Sequence, residues 1–215
     1  MDCKKALVET NGNMEDAIDW LRKQGLSAVA KKSTRVAAEG LIGMSVISRQ
    51  GAMVEINSET DFAAKDANFL AFAEKVKEYI SQNKITDVSS LTKSELEDER
   101  KNLVQTIGEN IQLRRISTIE FEDDINVGLY LHPDSKLASI TTTKGGNSDI
   151  AKDIAMHVSA FNPLCLSEED IDKDILDREI AIYENQAKDS GKPQEIMDKM
   201  VQGKIKRFLS EVSLL

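Results

Sequence analysis

Apolar positions cluster in two short segments that a polar stretch separates, and this arrangement predicts a β-hairpin. The segments are VAAEGLIGMSVI (36–47) and AMVEINSE (52–59), with SRQG (48–51) between them. Both are rich in β-branched residues and glycine, and β-branched residues fit extended strands well. The polar stretch between the two segments supplies the turn.

Two further segments show the same character. IQLRRISTIEF (111–121) predicts another strand, and VGLYLHPDSKLASITTTKGG (127–146) predicts a second hairpin. The second hairpin is expected to turn at Pro133, Asp134 and Ser135, since proline and aspartate are typical turn residues.

Apolar residues at helical spacing predict helices around these strands. One helix is expected to run from Phe62 to about residue 81, with its apolar positions near one face: Phe62, Phe69, Phe72, Val76 and Ile80. A second is expected to end at Gly108, with four residues pointing inward: Leu96, Leu103, Val104 and Ile107. A third covers NSDIAKDIAMHVSAF (147–161) and is expected to be capped by Asn147 or Ser148.

Both ends of the chain are predicted to be helical. Residues 1–34 suggest two short helices around an Asn-Gly turn, the second stopping at Gly25 and followed by a polar link. From Ser167 onward two highly charged helices flank DSGKP (189–193), with Ser167 and Asp170 forming a capping-box variant. Their narrow apolar seams are typical of a projecting helical hairpin. Mixed helices and antiparallel strands make the fold class α+β.

Composition narrows the classes of function. The formal charge of −9 argues against a surface that neutralises nucleic-acid phosphates, so no direct nucleic-acid partner is expected. No run of 18 apolar residues exists, so no membrane association is expected. The start of the chain lacks the apolar region of a signal peptide. Two distant cysteines, Cys3 and Cys165, fit a reducing compartment and suggest no metal site.

Catalytic motifs are absent from the sequence. TTTKGGNSD (141–149) has the spacing of neither common phosphate-binding loop, so no bound nucleotide or other cofactor is expected. His157 is expected to be a satisfied, partly buried histidine, and His132 to be an exposed turn or contact residue; neither suggests zinc. On one continuous helix Asp61 and Asp66 would point about 140° apart, which disfavours a shared reacting group.

Phe62 has two interpretations. Periodicity alone places it with Phe69 and Phe72 in the core. The alternative is that Asp61 and Phe62, at the junction of a strand and a helix, are displayed to another molecule. Asp61 also has a simple structural role, because an acidic residue favours the positive end of a helix dipole.

Five segments, in order along the whole chain, resemble the elongation factor Ts family. They are MDCKKALVETNGNMEDAIDWLRKQG, VEINSETDFAAKDANFLAFAEKV, IGENIQLRR, DIAMHVSA and SGKPQEIMDKMVQGKIKRFLSEVSL. The resemblance implies a guanine-nucleotide exchange factor for the translation GTPase EF-Tu, not an enzyme with its own catalytic residues. It implies binding to EF-Tu in its GDP-bound and nucleotide-free states, and release of GDP and Mg²⁺ so that GTP can bind.

The resemblance also implies which residues contact EF-Tu. Phe62 would insert between two helices of the GTPase domain near its magnesium site, with Asp61 making polar contacts beside it. The other implied contacts come from the same turn, from the IGEN segment, from a hairpin turn and from the N-terminal module: Thr60, Ile107, Gly108, His132, Met1 and Lys4.

The implied domain organisation has four parts. Residues 1–34 would form a partial ubiquitin-associated-like (UBA-like) module and linker, and 35–126 a core subdomain carrying the Asp-Phe pair. Residues 127–163, continued by 210–215, would form a second core subdomain. Residues 164–209 would form a protruding coiled-coil hairpin, through which some members self-associate, so a homodimer is one expectation.

Family members begin with a further helix and continue beyond the segment matching EVSLL, so we expect an incomplete N-terminal module. The expected location is the bacterial cytoplasm, with an organelle matrix as the alternative. Two other hypotheses stay open at this stage. One is a binding or scaffold module without exchange activity, and the other is an acid–base enzyme using Asp61 or Asp66.

Overall fold

A computed structural model describes residues 2–215, apart from the side chains of residues 2, 3, 22 and 26–28. The chain divides into two compact units, residues 1–151 and 152–215. The first unit opens with two packed helices, α1 (Asp2–Glu9) and α2 (Met14–Lys32). Asn13 caps α2, because its side-chain oxygen accepts from the backbone N–H groups of Glu15 and Asp16.

A three-stranded antiparallel sheet follows the two helices. Its strands are β1 (Glu39–Ile47), β2 (Gln50–Ser58) and β3 (Gln112–Glu120), in the spatial order β1-β2-β3. The register pairs Ile47 with Gln50 at the hairpin turn and Asn57 with Gln112 at the other end of β2. The chain between β2 and β3 therefore leaves the sheet at one end and returns at the same end to pair with the other side of β2.

Four helices fill the excursion between β2 and β3. They are α3 (Asp61–Ala64), α4 (Ala67–Asn83), α5 (Val88–Thr92) and α6 (Glu95–Ile107). The single helix predicted from Phe62 to residue 81 is therefore wrong. Asp66 interrupts it, because its carboxylate accepts from the Asn68 N–H and begins a new helix.

The core of this unit lies between the sheet and helices α4 to α6. The side chains of Phe69, Val76 and Ile80 on α4 are at most 1% exposed and pack with Val54 and Ile56 of β2. The predicted inward residues of α6 agree in part. Leu96, Leu103 and Val104 are buried, whereas Ile107 is half-buried against the same cluster.

The second hairpin pairs β4 (Ile125–Leu131) with β5 (Ala138–Lys144) in an antiparallel register. Its turn meets the edge of the first sheet, since the Ile42 N–H donates to the Ser135 carbonyl over 2.8 Å. Helix α7 (Ser148–Phe161) follows, and the division between the two units falls within it. The Asn147 side chain accepts from the Ile150 N–H, so Asn147 occupies the predicted capping position.

The second unit contains a helical hairpin, α8 (Lys173–Lys188) and α9 (Gln194–Val212). Ser167 and Asp170 form the predicted capping interaction around a short 3-10 turn, with the Ser167 N–H donating to Asp170 over 3.0 Å. Gly191, at φ 64°, lies in the corner between the helices as predicted. The seam between α8 and α9 is largely half-buried, and Ile196 is 46% exposed.

The α+β class is confirmed, and two further local predictions fail. Helix α2 does not stop at Gly25, because this glycine lies inside the helix where a Cβ would meet the Gln105 side chain. His157 is not partly buried; it is exposed, and its ring stacks on Phe161 with centroids 4.3 Å apart. The four-part division, the UBA-like module and the coiled coil stay predictions. In the described part of the chain, no helix has the length and apolar character that crossing a bilayer requires.

Candidate functional site

Phe62 is displayed on the one-turn helix α3. Thr60 caps this helix, because its side-chain oxygen accepts from the Ala63 N–H over 3.2 Å. Ala63 is 4% exposed and anchors the turn, whereas Phe62 is 81% exposed. The core interpretation of Phe62 is therefore wrong: the side chain points into solvent, and the apolar stripe of α4 begins at Phe69.

Asp61 lies beside Phe62 and pairs with Lys65, whose Nζ is 2.8 Å from Asp61 Oδ2. The hydrogen bond from Lys65 lowers the pKa of Asp61 below its usual value. Asp61 and Asp66 belong to different helices, and each has its own local partner: Lys65 for Asp61 and the Asn68 N–H for Asp66. This arrangement gives no shared proton between them, as the acid–base hypothesis would need.

The sheet register brings the IGEN segment (107–110) next to α3, since β2 ends and β3 begins at the same end of the sheet. Gly108 ends α6 as predicted, in the left-handed conformation at φ 88°, and its N–H donates to Val104. Glu109 then reaches across to Thr60. It accepts from the Thr60 N–H over 2.9 Å and from the Thr60 hydroxyl over 2.7 Å.

A second carboxylate makes the reciprocal contact. Glu59 accepts from the Asn110 N–H over 2.6 Å and lies 3.6 Å from the Arg35 guanidinium. Asn110 itself is 1% exposed, and its side-chain amide donates to the Arg35 carbonyl over 2.7 Å. Three stretches that are distant in sequence are thus joined at the base of α3.

His132 lies in the β4–β5 turn, half-exposed, with its Nδ1 2.8 Å from Asp134 Oδ1. A hydrogen bond from the Lys136 N–H, followed by one from His132, lowers the pKa of Asp134. The same turn faces α3 across a cleft of about 420 Å³, whose lining includes Asp61 and Pro133. The first unit therefore brings the Asp-Phe turn, the IGEN segment and the His132 turn together.

Two predicted residues lie elsewhere in the chain from this group. Lys4 is exposed on α1, and the structure shows no contact between it and the group, while Met1 lies outside the described residues. Within residues 2–215, as far as their side chains are described, no group of three or more histidine, cysteine or acidic residues could hold a metal ion. Cys165 is a free, half-buried thiol.

Glu59, Glu109 and Asn110 were not among the predicted site residues, although they lie in segments that resemble the family. Their contacts could not be predicted, because they depend on which strands pair. The signal that could have found them is antiparallel pairing of residues 52–59 with 111–121, which places 58–60 beside 109–111.

Comparison with known proteins agrees with this picture. The family model described as Elongation factor TS matches residues 59–215. Elongation factor Ts of Hahella chejuensis is 46% identical over 217 residues, which cover all of this chain and 75% of the relative. Those of Photorhabdus laumondii and Thioalkalivibrio sulfidiphilus are 45% and 42% identical, again over the whole chain and 75% of each relative. The chain therefore belongs to the elongation factor Ts family, whose members are translation elongation factors that serve protein biosynthesis.

Proposed function

We propose that this protein is a guanine-nucleotide exchange factor that binds EF-Tu·GDP and promotes release of GDP and Mg²⁺. The observation that carries the proposal is Phe62, an 81% exposed aromatic side chain on a turn that Thr60 caps and the buried Ala63 anchors. Water disfavours exposure of such a ring, so its display suits insertion into a partner. The protein acts in the bacterial cytoplasm, or in an organelle matrix, wherever EF-Tu works.

The proposed mechanism couples two binding equilibria and uses no acid–base chemistry. A protein that binds nucleotide-free EF-Tu more tightly than nucleotide-bound EF-Tu must weaken the binding of nucleotide to EF-Tu by the same factor. A thousandfold faster release requires about 4 kcal/mol less barrier. Burial of one phenylalanine contributes about 1.5–3 kcal/mol. Phe62 therefore supplies a large share, and a wider interface supplies the rest.

The neighbouring groups extend this interface. Asp61 makes polar contacts beside Phe62, and Thr60, Ile107 and Gly108 contribute from the adjoining segments. His132 engages a different domain of EF-Tu from a turn that borders the same cleft. Lys4 and Met1 belong to the UBA-like N-terminal module, which docks on a further helix of the GTPase.

The helical hairpin is a separate part of the proposal. We assign α8 and α9 to a coiled coil that serves self-association. The half-buried seam and the 46% exposed Ile196 support this role, because an apolar seam left partly open gains stability when a second copy covers it.

Release of fluorescent GDP from EF-Tu tests the exchange activity. The wild-type protein should speed release, and Phe62→Ala should lose roughly tenfold or more of that acceleration, which corresponds to about 1.4 kcal/mol or more. The matched control is Ile47→Ala, which removes an exposed apolar side chain at the opposite end of the β1–β2 hairpin. This control should keep the wild-type rate.

Two results would contradict the proposal. A wild-type protein that binds EF-Tu without faster GDP release would be a scaffold module. Equal rates for wild type and Phe62→Ala would remove Phe62 from the mechanism while leaving exchange in place.

A further inference from the structure

We propose that Glu109 is a positioning residue that holds Phe62 in its displayed orientation before any partner binds. The inference rests on the proposed function for its kinetic consequence, but its structural half concerns the free protein. Glu109 does not belong to α3 and lies 49 residues away from Thr60 in sequence. Its two carboxylate oxygens nevertheless accept both polar hydrogens of Thr60.

Helix α3 cannot order itself. It has four residues, and a single helical turn is unfavourable alone because nucleation fixes several dihedral angles for one hydrogen bond. The interruption at Asp66 prevents α4 from extending it. Among its four side chains Ala63 is buried and Ala64 is half-buried against the core. These two small side chains anchor one side of the turn, and the N-terminal cap fixes its first peptide groups.

Glu109 sets that cap through the proton of the Thr60 hydroxyl. A hydroxyl has one hydrogen to donate and two lone pairs that accept. Because the hydrogen points to Glu109 over 2.7 Å, a lone pair is left to face the Ala63 N–H at 3.2 Å. A bond to a carboxylate is stronger than one between neutral groups, so Glu109 selects this hydroxyl orientation over its alternatives.

The backbone contact adds a second constraint at the same residue. The Thr60 N–H donates to the other oxygen of Glu109, so the peptide plane that enters α3 is fixed together with the cap. The reciprocal bond from the Asn110 N–H to Glu59 keeps the two segments side by side. Phe62 lies two residues after Thr60, so these hydrogen bonds also fix the direction in which its side chain leaves the turn.

A side chain that is already ordered loses less freedom when it binds. Removal of Glu109 should leave the core intact, because Glu109 and Thr60 are both partly exposed and water can replace the lost bonds. Freeing the turn should slow nucleotide release from EF-Tu by about threefold to tenfold, the effect of ordering one or two side chains on binding.

The first test uses the free protein. Backbone order parameters for residues 60–64 should lie near the rigid value of about 0.85 in wild type and fall toward about 0.6 in Glu109→Ala. Glu109→Gln keeps one acceptor oxygen and should fall between them. The matched control is Glu78→Ala, an exposed glutamate of α4, which should match wild type. Unchanged order parameters in Glu109→Ala would overturn the proposal.

The second test is a double-mutant cycle on GDP release from EF-Tu. Glu109→Ala should slow release in the wild-type background and have a much smaller effect in the Phe62→Ala background, since its influence acts mainly through Phe62. Equal slowing in both backgrounds would show a general structural effect and contradict the inference. If the wild-type protein fails to speed release, the exchange function is wrong, and the order parameters alone decide the role of Glu109.

Discussion

At the scale of single residues, Phe62 and Phe69 have the same side chain but opposite solvent exposure. Phe62 is 81% exposed and Phe69 is fully buried, although the two are only seven residues apart. Helical periodicity correctly predicts Phe69 as core, because α4 presents one continuous apolar face to the sheet. It fails for Phe62 because Asp66 starts a new helix, and periodicity says nothing across such an interruption.

The two phenylalanines should respond oppositely to the same truncation. Phe69→Ala leaves a cavity in a closely packed core and should lower the free energy of unfolding by about 3–5 kcal/mol. Phe62→Ala removes a side chain already in water and should change it by less than about 0.5 kcal/mol. Urea denaturation monitored by circular dichroism measures both. A large loss in Phe62→Ala would mean that the ring packs within the chain in solution.

At the scale of elements, local capping chemistry decides where most of the helices begin. Asn13, Thr60, Asp66, Asp87 and Ser94 each accept a backbone N–H at the start of a helix. Helix boundaries of this kind can be predicted from the sequence. The cap at Asn147 and the end of α6 at Gly108 are two examples. The predicted stop at Gly25 was wrong because this position needs glycine for a different reason. Helix α2 passes so close to α6 there that a Cβ would meet the Gln105 side chain.

The cap of α5 predicts a dependence of stability on pH. Hydrogen bonds from the Ser89 and Ser90 hydroxyls, and then from the Ser90 N–H, lower the pKa of Asp87 to about 2. A pKa that is lower in the folded state stabilises the protein above the unfolded value near 3.8. That contribution is lost as the pH falls toward 2, because the unfolded chain then binds the extra proton.

Asp87→Asn tests this sign, since asparagine also caps helices but does not titrate. The unfolding free energy of wild type should fall more steeply between pH 4 and about pH 2 than that of the variant. Urea denaturation at a series of pH values measures the two slopes. Asp87→Ala should instead be less stable than wild type even at pH 7. Parallel slopes for wild type and Asp87→Asn would show that Asp87 does not carry the effect.

At the scale of the whole molecule, pairing between distant strands assembles the candidate site. The sequence predicts β2 and β3 as separate strands but does not indicate that they are neighbours. Four helices lie between them, and no local pattern marks two segments that pair over such a distance. The residues at their ends could therefore not be joined in advance. Residues of the Asp-Phe turn were found through family resemblance, whereas Glu59, Glu109 and Asn110 needed the register itself.

The division into two units predicts that damage to the helical hairpin stays local. Ala187 is 4% exposed on α8, so Ala187→Asp would bury a charge and should destabilise the second unit by about 2–3 kcal/mol. The single tryptophan, Trp20, reports on the first unit. Its fluorescence midpoint in urea should be unchanged, while circular dichroism shows an earlier loss of helix.

The control for this experiment is Ala181→Asp, which introduces the same charge at an exposed position of α8. It should leave both midpoints near those of wild type. A Trp20 midpoint that moves together with the circular dichroism signal in Ala187→Asp would show that the chain unfolds as one cooperative body.

The interruption of the helix at Asp66 also has an evolutionary consequence. In one long helix the direction of each side chain in the turn would be fixed relative to the buried apolar stripe. A change in either part would then have disturbed the other. With a new cap between them, the outward-facing residues Asp61, Phe62 and Lys65 can vary while the packing of Phe69 and Val76 stays as it is. A library randomised at those three positions should therefore contain many folded members, in which new recognition properties can be selected without compensating changes in the core.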